Sequence, residues 1–220
     1  MLEPIDGIPI ILRVYNRVKE TKLFSEVIVA TDDQRILQLI EENQGRAVMT
    51  LDTHISGTDR VIEAAEQLKT FEYVVNIQGD EALIGLSHLG PLVSYLNTDN
   101  PNPISTLYTL NNSEKDFHDP NCVKAIFDES QKAIYFSRSS IPHLRDKPFT
   151  EFNQHVGVYA FANKILDKIK SLPKGKLERL ESLEQLRWLE AGIAIQMIEV
   201  HGKLIGVDTP DDVSKVEKLK

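Results

Sequence analysis

The sequence predicts an α/β protein, a mostly parallel sheet with helices on both faces plus a small β-rich lobe. Three observations carry this. Short β-branched runs (Glu26–Thr31, Ala47–Thr50, Tyr73–Ile77) alternate with stretches of helical period, and the order αβαβαβα is that of a parallel sheet wrapped by helices. The strand runs end in polar residues, as in Rossmann-like sheets that bind ligands at the carboxyl edge. Beyond Ile104 the strands come closer together, with a hairpin signal, which marks the lobe. One domain over 1–220 is expected, with the lobe within about 104–162.

Met1–Gly7 reads as a loop, with Pro4 and Asp6-Gly7 as turn signals. Pro9 opens a helix whose apolar residues Ile10, Ile11, Val14, Tyr15 and Val18 recur at helical spacing, and Arg13, Arg17 and Lys19 on it read as solvated cations. Glu26–Thr31 is a strand, and Asp32-Asp33 cap a helix Gln34–Asn43 that Gly45 ends. Ala47–Thr50 is a short strand, Leu51–Thr58 a polar loop, and Asp59–Lys69 a helix. The strand at 73–77 follows, then helix Ser87–Leu96 and a turn at Thr98–Pro103. Ile104–Leu110 is a strand, and Val123–Phe127 and Ala133–Phe136 form a hairpin around Asp128–Gln131. Asn153–Ala162 is a strand, Lys164–Ser171 a short helix, and Leu177–Ala191 one helix with Leu177, Leu180, Leu183 and Leu186 as its apolar stripe. Ile193–Val200 is a strand, Gly206–Pro210 a turn, and Asp211–Leu219 a final helix.

The net charge of −8 excludes a general nucleic-acid or anionic-membrane surface, but not a phosphorylated ligand met by a few local cations. A single cysteine, Cys122, rules out an internal disulfide and fits a cytoplasmic setting. It has no base partner in the sequence and reads as structural.

The chemistry-bearing stretch is Val74–Ile84, VVNIQGDEALI. Gly79 lets the backbone turn, and Asp80 and Glu81 follow at the strand's carboxyl end. Paired acids need a cation or hydrogen-bond donors, and an oxygen-only site suits Mg²⁺, although an acidic surface loop has the same pattern. Asp208, in the turn VDTPDD, is either part of a helix cap or a partner of Asp80 around the metal. Ser56-Gly57-Thr58 offers hydroxyls and amides to a base or ribose, or is itself a helix cap. Arg138 carries a planar fork suited to carboxylate or phosphate, or is a surface arginine. His155 and Tyr159 lie on one strand face, where a core histidine satisfied by backbone groups is the default reading. Glu184 and Gln185 interrupt the leucine-rich helix near Arg187, as wet-side residues commonly do.

Taken together, DGIPI, VIVATDDQRI, MT…SGTDR, VVNIQGDE, KAIYFSRSSIP, QHVGVYAF, LESLEQLRWLE and GVDTPDD, in this order, resemble the 3-deoxy-manno-octulosonate cytidylyltransferases, or CMP-KDO synthetases. The resemblance runs from about residue 2 to the end and implies a nucleotide-diphospho-sugar transferase type of fold. It implies coupling of CTP to the acid sugar KDO, with Mg²⁺, usually as a homodimer, on the route to lipopolysaccharide. It makes Asp80 and Asp208 the catalytic metal ligands. It lays Ser56, Gly57, Thr58 and Gln78 along the cytidine, and has Arg138, His155, Tyr159, Glu184 and Gln185 line the KDO pocket. The hairpin at 123–136 would belong to a lobe that covers the sugar and makes the dimer contact. An 8-amino form of KDO or a sialic acid is the alternative substrate, and a dimeric sugar-binding remnant without turnover is the alternative to an enzyme.

Two departures bear on these expectations. The family's first strand and its loop of the form PAR-x-x-S-x-R-x-PGKP, which holds the CTP triphosphate, are absent from these 220 residues, so an incomplete, impaired version of the enzyme is expected. The family usually has proline after QGDE. Here it is Ala82, which is expected to leave the turn less fixed.

Overall fold

The computed structural model describes residues 1–54, 56–68, 71–146, 148–202, 204, 206–207, 213 and 216. In chain order these form β1 (Pro4–Ile5), β2 (Ile8–Pro9), α1 (Ile10–Glu20), β3 (Ile28–Thr31), α2 (Gln34–Glu42), β4 (Arg46–Met49), α3 (Gly57–Glu66), β5 (Tyr73–Asn76) and α4 (Leu86–Leu96). There follow β6 (Ile104–Asn111), α5 (Glu114–His118), β7 (Lys124–Phe127), β8 (Ala133–Ser137), β9 (Phe152–Ala162), α6 (Leu166–Ser171), α7 (Lys176–Glu181), α8 (Gln185–Glu190) and β10 (Ile195–Glu199). The α/β class holds, with a mixed sheet and flanking helices. The expected final helix lies almost wholly outside the described residues.

The chain divides into two compact units. The first comprises Met1–Phe71, Asn76–Gly90 and Gly202–Lys220, the second Glu72–Val75 and Pro91–His201.

In the first unit β3 and β4 pair in parallel, Ile28 opposite Arg46 through Thr31 opposite Met49. Leu12, Tyr15, Val29 and Ile40 bury against Ile11, Val27, Ile36, Leu39 and Ala47, joining the apolar faces of α1 and α2 to that ribbon. The first seven residues, read as a loop, make a hairpin turning at Asp6-Gly7, with Ile5 fully buried. Asp33 caps α2 by accepting from Arg35 N at 2.8 Å, whereas Asp32 pairs with Arg60 instead. The left-handed residue past α2 is Gln44, φ 58°, rather than Gly45. Gly45 is required for another reason: a Cβ there would stand 2.6 Å from Ile40 Cγ2. Of the α1 cations, expected to be solvated, Lys19 is exposed, whereas Arg13 and Arg17 are half-buried and engaged. Arg13 donates to Ile5 O at 2.9 Å, Arg17 to Ile84 O at 2.6 Å, and Lys19 lies 5.5 Å from the Tyr15 ring centroid.

In the second unit the strand order is β10-β6-β9-β7-β8, with β5 also on β9. β10 and β6 run parallel, and β6–β9, β7–β9 and β7–β8 run antiparallel. The β7–β8 turn is held by Asp128 Oδ1, which accepts from Ser130 N and Lys132 N. The expected single helix 177–191 is two. Ser182 breaks it in the left-handed region at φ 53°, and Leu180 of the supposed apolar stripe is 71% exposed while Leu186 is fully buried. Across the break, buried Arg187 reaches back to Glu178 at 3.4 Å, a pairing that a continuous helix would not give.

Candidate active site

Each unit carries its own set of predicted site residues. In the first unit, Ser56 is the N-cap of α3, its Oγ accepting from Asp59 N at 3.2 Å, and Thr58 is buried behind it. The helix-cap reading of Ser56-Gly57-Thr58 holds, and exposed Gly57 stands beside Gln78. A Cβ on Gly57 would stand 3.7 Å from both amide atoms of Gln78 and 4.0 Å from Asn76 Nδ2. The structure thus brings Ser56, Gly57 and Thr58 together with Gln78, the four residues of the predicted cytidine set, and adds buried Asn76. Asn76 gave no sequence signal, since its place in β5 reads as an ordinary strand end.

The loop before this helix is tied down by it. Arg60 donates to Thr50 Oγ1 and pairs with Asp32 at 2.7 Å, while Glu63 meets His54 and accepts from Leu51 N at 3.0 Å. The Arg60 bond on Asp32, and the bonds of His54 and the Leu51 amide to Glu63, hold the two carboxyls below the usual range.

The turn after Gln78 is fixed backbone to backbone. Glu81 N donates to Gln78 O, Ile84 N to Glu81 O, and Ala82 N to Asp80 O at 2.8 Å. Ala82 supplies an N–H that proline lacks and uses it on Asp80 O. Arg17 closes the far end through Leu83 O and Ile84 O. Asp80 O also accepts from Val207 N at 3.1 Å, and a Cβ on Gly206 would lie 3.7 Å from Asp80 Oδ2. The segment leading to Asp208 therefore runs beside the Asp80 carboxylate, although far from it in sequence. Asp208 itself lies outside the described residues.

In the second unit, β9 carries His155 and Tyr159. The β6–β9 register runs Thr106↔Tyr159 and then Leu107↔Val156, so Gly157 and Val158 are displaced from the ladder. This bulge brings two hydroxyls to one ring nitrogen: His155 Nε2 is 3.0 Å from Thr106 Oγ1 and 3.0 Å from Tyr159 OH. Thr106 donates to Val158 O at 2.8 Å. The default reading of His155 as satisfied by backbone groups is corrected, since its partners are two side-chain hydroxyls. Burial pulls the imidazole down to about 3, so it is neutral at ordinary pH. Burial, with the Glu184 charge, pushes the Tyr159 phenol well up, keeping it a proton donor. Thr106 is a site residue the sequence did not reveal, being one of many small polar residues in strands.

Glu184 and Gln185 begin α8. Glu184 pairs with Arg187, whose other side faces Glu178. Gln185 is 4% exposed, and among the described residues its buried Nε2 meets no hydrogen-bond partner. Arg138 is not a free surface arginine. It donates to Glu181 O at 2.8 Å, Pro120 O at 2.9 Å and Ser182 O at 3.4 Å. Burial pushes the Cys122 thiol up to about 12, so it stays protonated and unreactive. Among the described residues no three His, Cys, Asp or Glu side chains cluster for a metal, and no helix is long and apolar enough to cross a membrane.

Comparison with known proteins bears on all of this. A family profile described as Cytidylyltransferase matches residues 1–198. The 3-deoxy-manno-octulosonate cytidylyltransferase of Thermodesulfovibrio yellowstonii is 42% identical over 223 residues, covering 96% of this chain and 87% of the relative. That of Flavobacterium johnsoniae is 39% identical, covering 100% and 91%. The solved structure of CMP:2-keto-3-deoxy-manno-octonic acid synthetase complexed with CTP superimposes with a TM-score of 0.92 at 38% identity, over 99% of this chain and 90% of that one. The mixed α/β fold, the site motifs in order and these near full-length matches agree, and the chain belongs to the 3-deoxy-manno-octulosonate cytidylyltransferase family.

Proposed function

We propose that this chain transfers the cytidylyl group of CTP to KDO, releasing pyrophosphate and forming CMP-KDO for lipopolysaccharide synthesis. The anomeric oxygen of KDO attacks the α-phosphorus, the bond from that phosphorus to the bridging oxygen of pyrophosphate breaks, and the hydroxyl proton passes to solvent. Positioning and charge neutralisation supply most of the rate in such transfers.

The first unit handles the nucleotide. Gly57 leaves the Gln78 amide open to a base edge, and the α3 cap adds hydroxyls and amides beside it. Asp80 with Asp208 would hold Mg²⁺. The donor set fits, because it is oxygen-only, offers the one or two carboxylates this ion takes alongside phosphates, and has the 206–207 segment already bonded to Asp80. When bound, the ion would neutralise phosphate charge. The second unit handles the acid sugar. Neutral His155 orients the Tyr159 hydroxyl, and Glu184 and Gln185 offer an acceptor and an unpartnered amide to sugar hydroxyls. The enzyme works as a homodimer, a reading supported by the family resemblance, and in the cytoplasm, which the single free cysteine fits.

The observation that carries this reading is the joining of Gly206-Val207 to Asp80 in the same unit that sets Gly57 against Gln78. The test is pyrophosphate release with CTP, Mg²⁺ and KDO, from the 220-residue chain and from the same chain bearing a family-type strand and phosphate loop ahead of Leu2. Release that needs KDO and stops with a chelator is the expected result. Preference for 8-amino-KDO or sialic acid would overturn the sugar assignment, and KDO binding without release from either protein would overturn the enzyme. Sedimentation analysis checks the dimer.

A further inference from the structure

α7 ends at Glu181 and α8 begins at Gln185, and the acid-sugar candidates Glu184 and Gln185 stand at the start of the second helix. Where they point depends on the break, and the break is an unusual one. Ser182 takes a left-handed conformation that glycine or asparagine ordinarily supplies. A helix end also leaves carbonyls without intrahelical donors, and these carry partial negative charge.

One side chain from another part of the sheet meets those carbonyls. Arg138 Nε donates to Glu181 O at 2.8 Å and Nη2 to Ser182 O at 3.4 Å, while Nη1 donates to Pro120 O at 2.9 Å. The attachment is reciprocal. Glu181 accepts from Arg138 N at 2.9 Å and from Ser137 Oγ at 2.6 Å. Lys124, fully buried, donates to Arg138 O and to Asp119 O at 2.8 Å each. A guanidinium spread over three fixed carbonyls is oriented by the fold, before any ligand arrives.

We propose that Arg138 is a positioning residue, whose guanidinium, on a backbone anchored by Glu181 and Lys124, fixes the chain break at Ser182 and thereby places Glu184 and Gln185, rather than meeting the sugar carboxylate itself. The proposal rests on the acid-sugar reading of α8, but its first measurement does not. Trp188, the chain's one tryptophan, lies on α8 with its ring edge-on to Tyr159 and Phe161 at 5.1 and 5.2 Å, so its emission reports the seating of that helix without any ligand.

The experiment compares Arg138→Ala, Arg138→Lys and Glu181→Gln with the parent, first by Trp188 emission and acrylamide quenching in the ligand-free protein. It then compares KM for KDO and for its uncharged carboxamide. The expected result is red-shifted, more quenchable emission in Arg138→Ala, a smaller shift in Glu181→Gln, and little recovery in Arg138→Lys, because an ammonium cannot span three carbonyls. KM should rise by about tenfold for acid and carboxamide alike, as for loss of a charge-assisted bond in the scaffold. Unchanged emission in Arg138→Ala, or a KM loss confined to the acid, would overturn the proposal. If neither sugar is a substrate, the substrate reading fails and the emission alone decides the positioning role. If Arg138→Ala does not fold, Glu181→Gln carries the same comparison, and unchanged emission there overturns it.

Discussion

The two units build their candidate sites differently. In the first, the site groups hang on local backbone motifs: a serine cap, a glycine beside an amide, a turn whose N–H groups point at Gln78 and Asp80 carbonyls. In the second, side chains distant in sequence converge because β9 bulges against β6 and because one helix is two. A site made from local motifs should lose function without losing its fold when one group is changed. A site made from packing should answer with stability as well.

The sharpest contrast is expected at Asp80. Asp80→Asn should lower pyrophosphate release by about 10²–10³-fold while leaving the melting temperature nearly unchanged, since the turn is held by the backbone carbonyl. A large fall in melting temperature would erase the distinction drawn for the first unit.

His155 should behave in the opposite way. Its folded value near 3 lies below the ordinary 6.5, so the unfolded chain takes up a proton first. The stability tied to the neutral imidazole is full above pH 6.5 and is lost as pH falls from 6.5 towards 3, at up to about 1.4 kcal/mol per pH unit. His155→Gln should show a flatter loss across that window in denaturant titrations. Equal slopes for the two proteins would mean the ring is not buried neutral.

A smaller effect is expected at Gly57. Alanine should be tolerated, because its Cβ makes ordinary contact with Gln78 at 3.7 Å, whereas Gly57→Val crowds the amide and should raise KM for CTP about tenfold, or about 1.4 kcal/mol. Identical KM values for the two variants would detach Gly57 from the nucleotide.

The smallest change is expected from Ser182→Gly. Relief of the left-handed serine should stabilise the protein by about 1 kcal/mol, raising the melting temperature by about 2–4 °C, with KM for KDO unchanged. A shift of the break that alters KM would show that the side chain at 182, and not the clamp on its carbonyl, sets the geometry.

The same division governs what could be read in advance. QGDE after a β-branched strand, Ser56 before α3 and Asp33 before α2 are contiguous signals whose physics lies within a few residues, and the structure has each where it was expected. The period of Leu177, Leu180, Leu183 and Leu186 is equally clear, yet it misleads. Periodicity records which residues are apolar and cannot record that Arg187 reaches Glu178 or that Arg138 holds the carbonyl of Ser182. Arg17 likewise looks like a solvated helix cation until its partners, Leu83 O and Ile84 O, are brought to it. Ala82 looks like a loss relative to proline, and only the turn reveals the bond its N–H makes.

By itself, then, the sequence determined the α/β class, most of the strands and helices, the family, and the caps and turns that follow from neighbouring residues. Tertiary structure decided the mixed sense of the sheet, the bulge that joins Thr106, His155 and Tyr159, the break at Ser182, and the return of the 206–207 segment to Asp80. The physical reason is range. Backbone preferences and hydrophobic period act over a turn or two and are written in neighbouring residues. Buried hydrogen bonds form only where long-range packing delivers a donor to an acceptor, and the need to satisfy every such group fixes details that local preference leaves open.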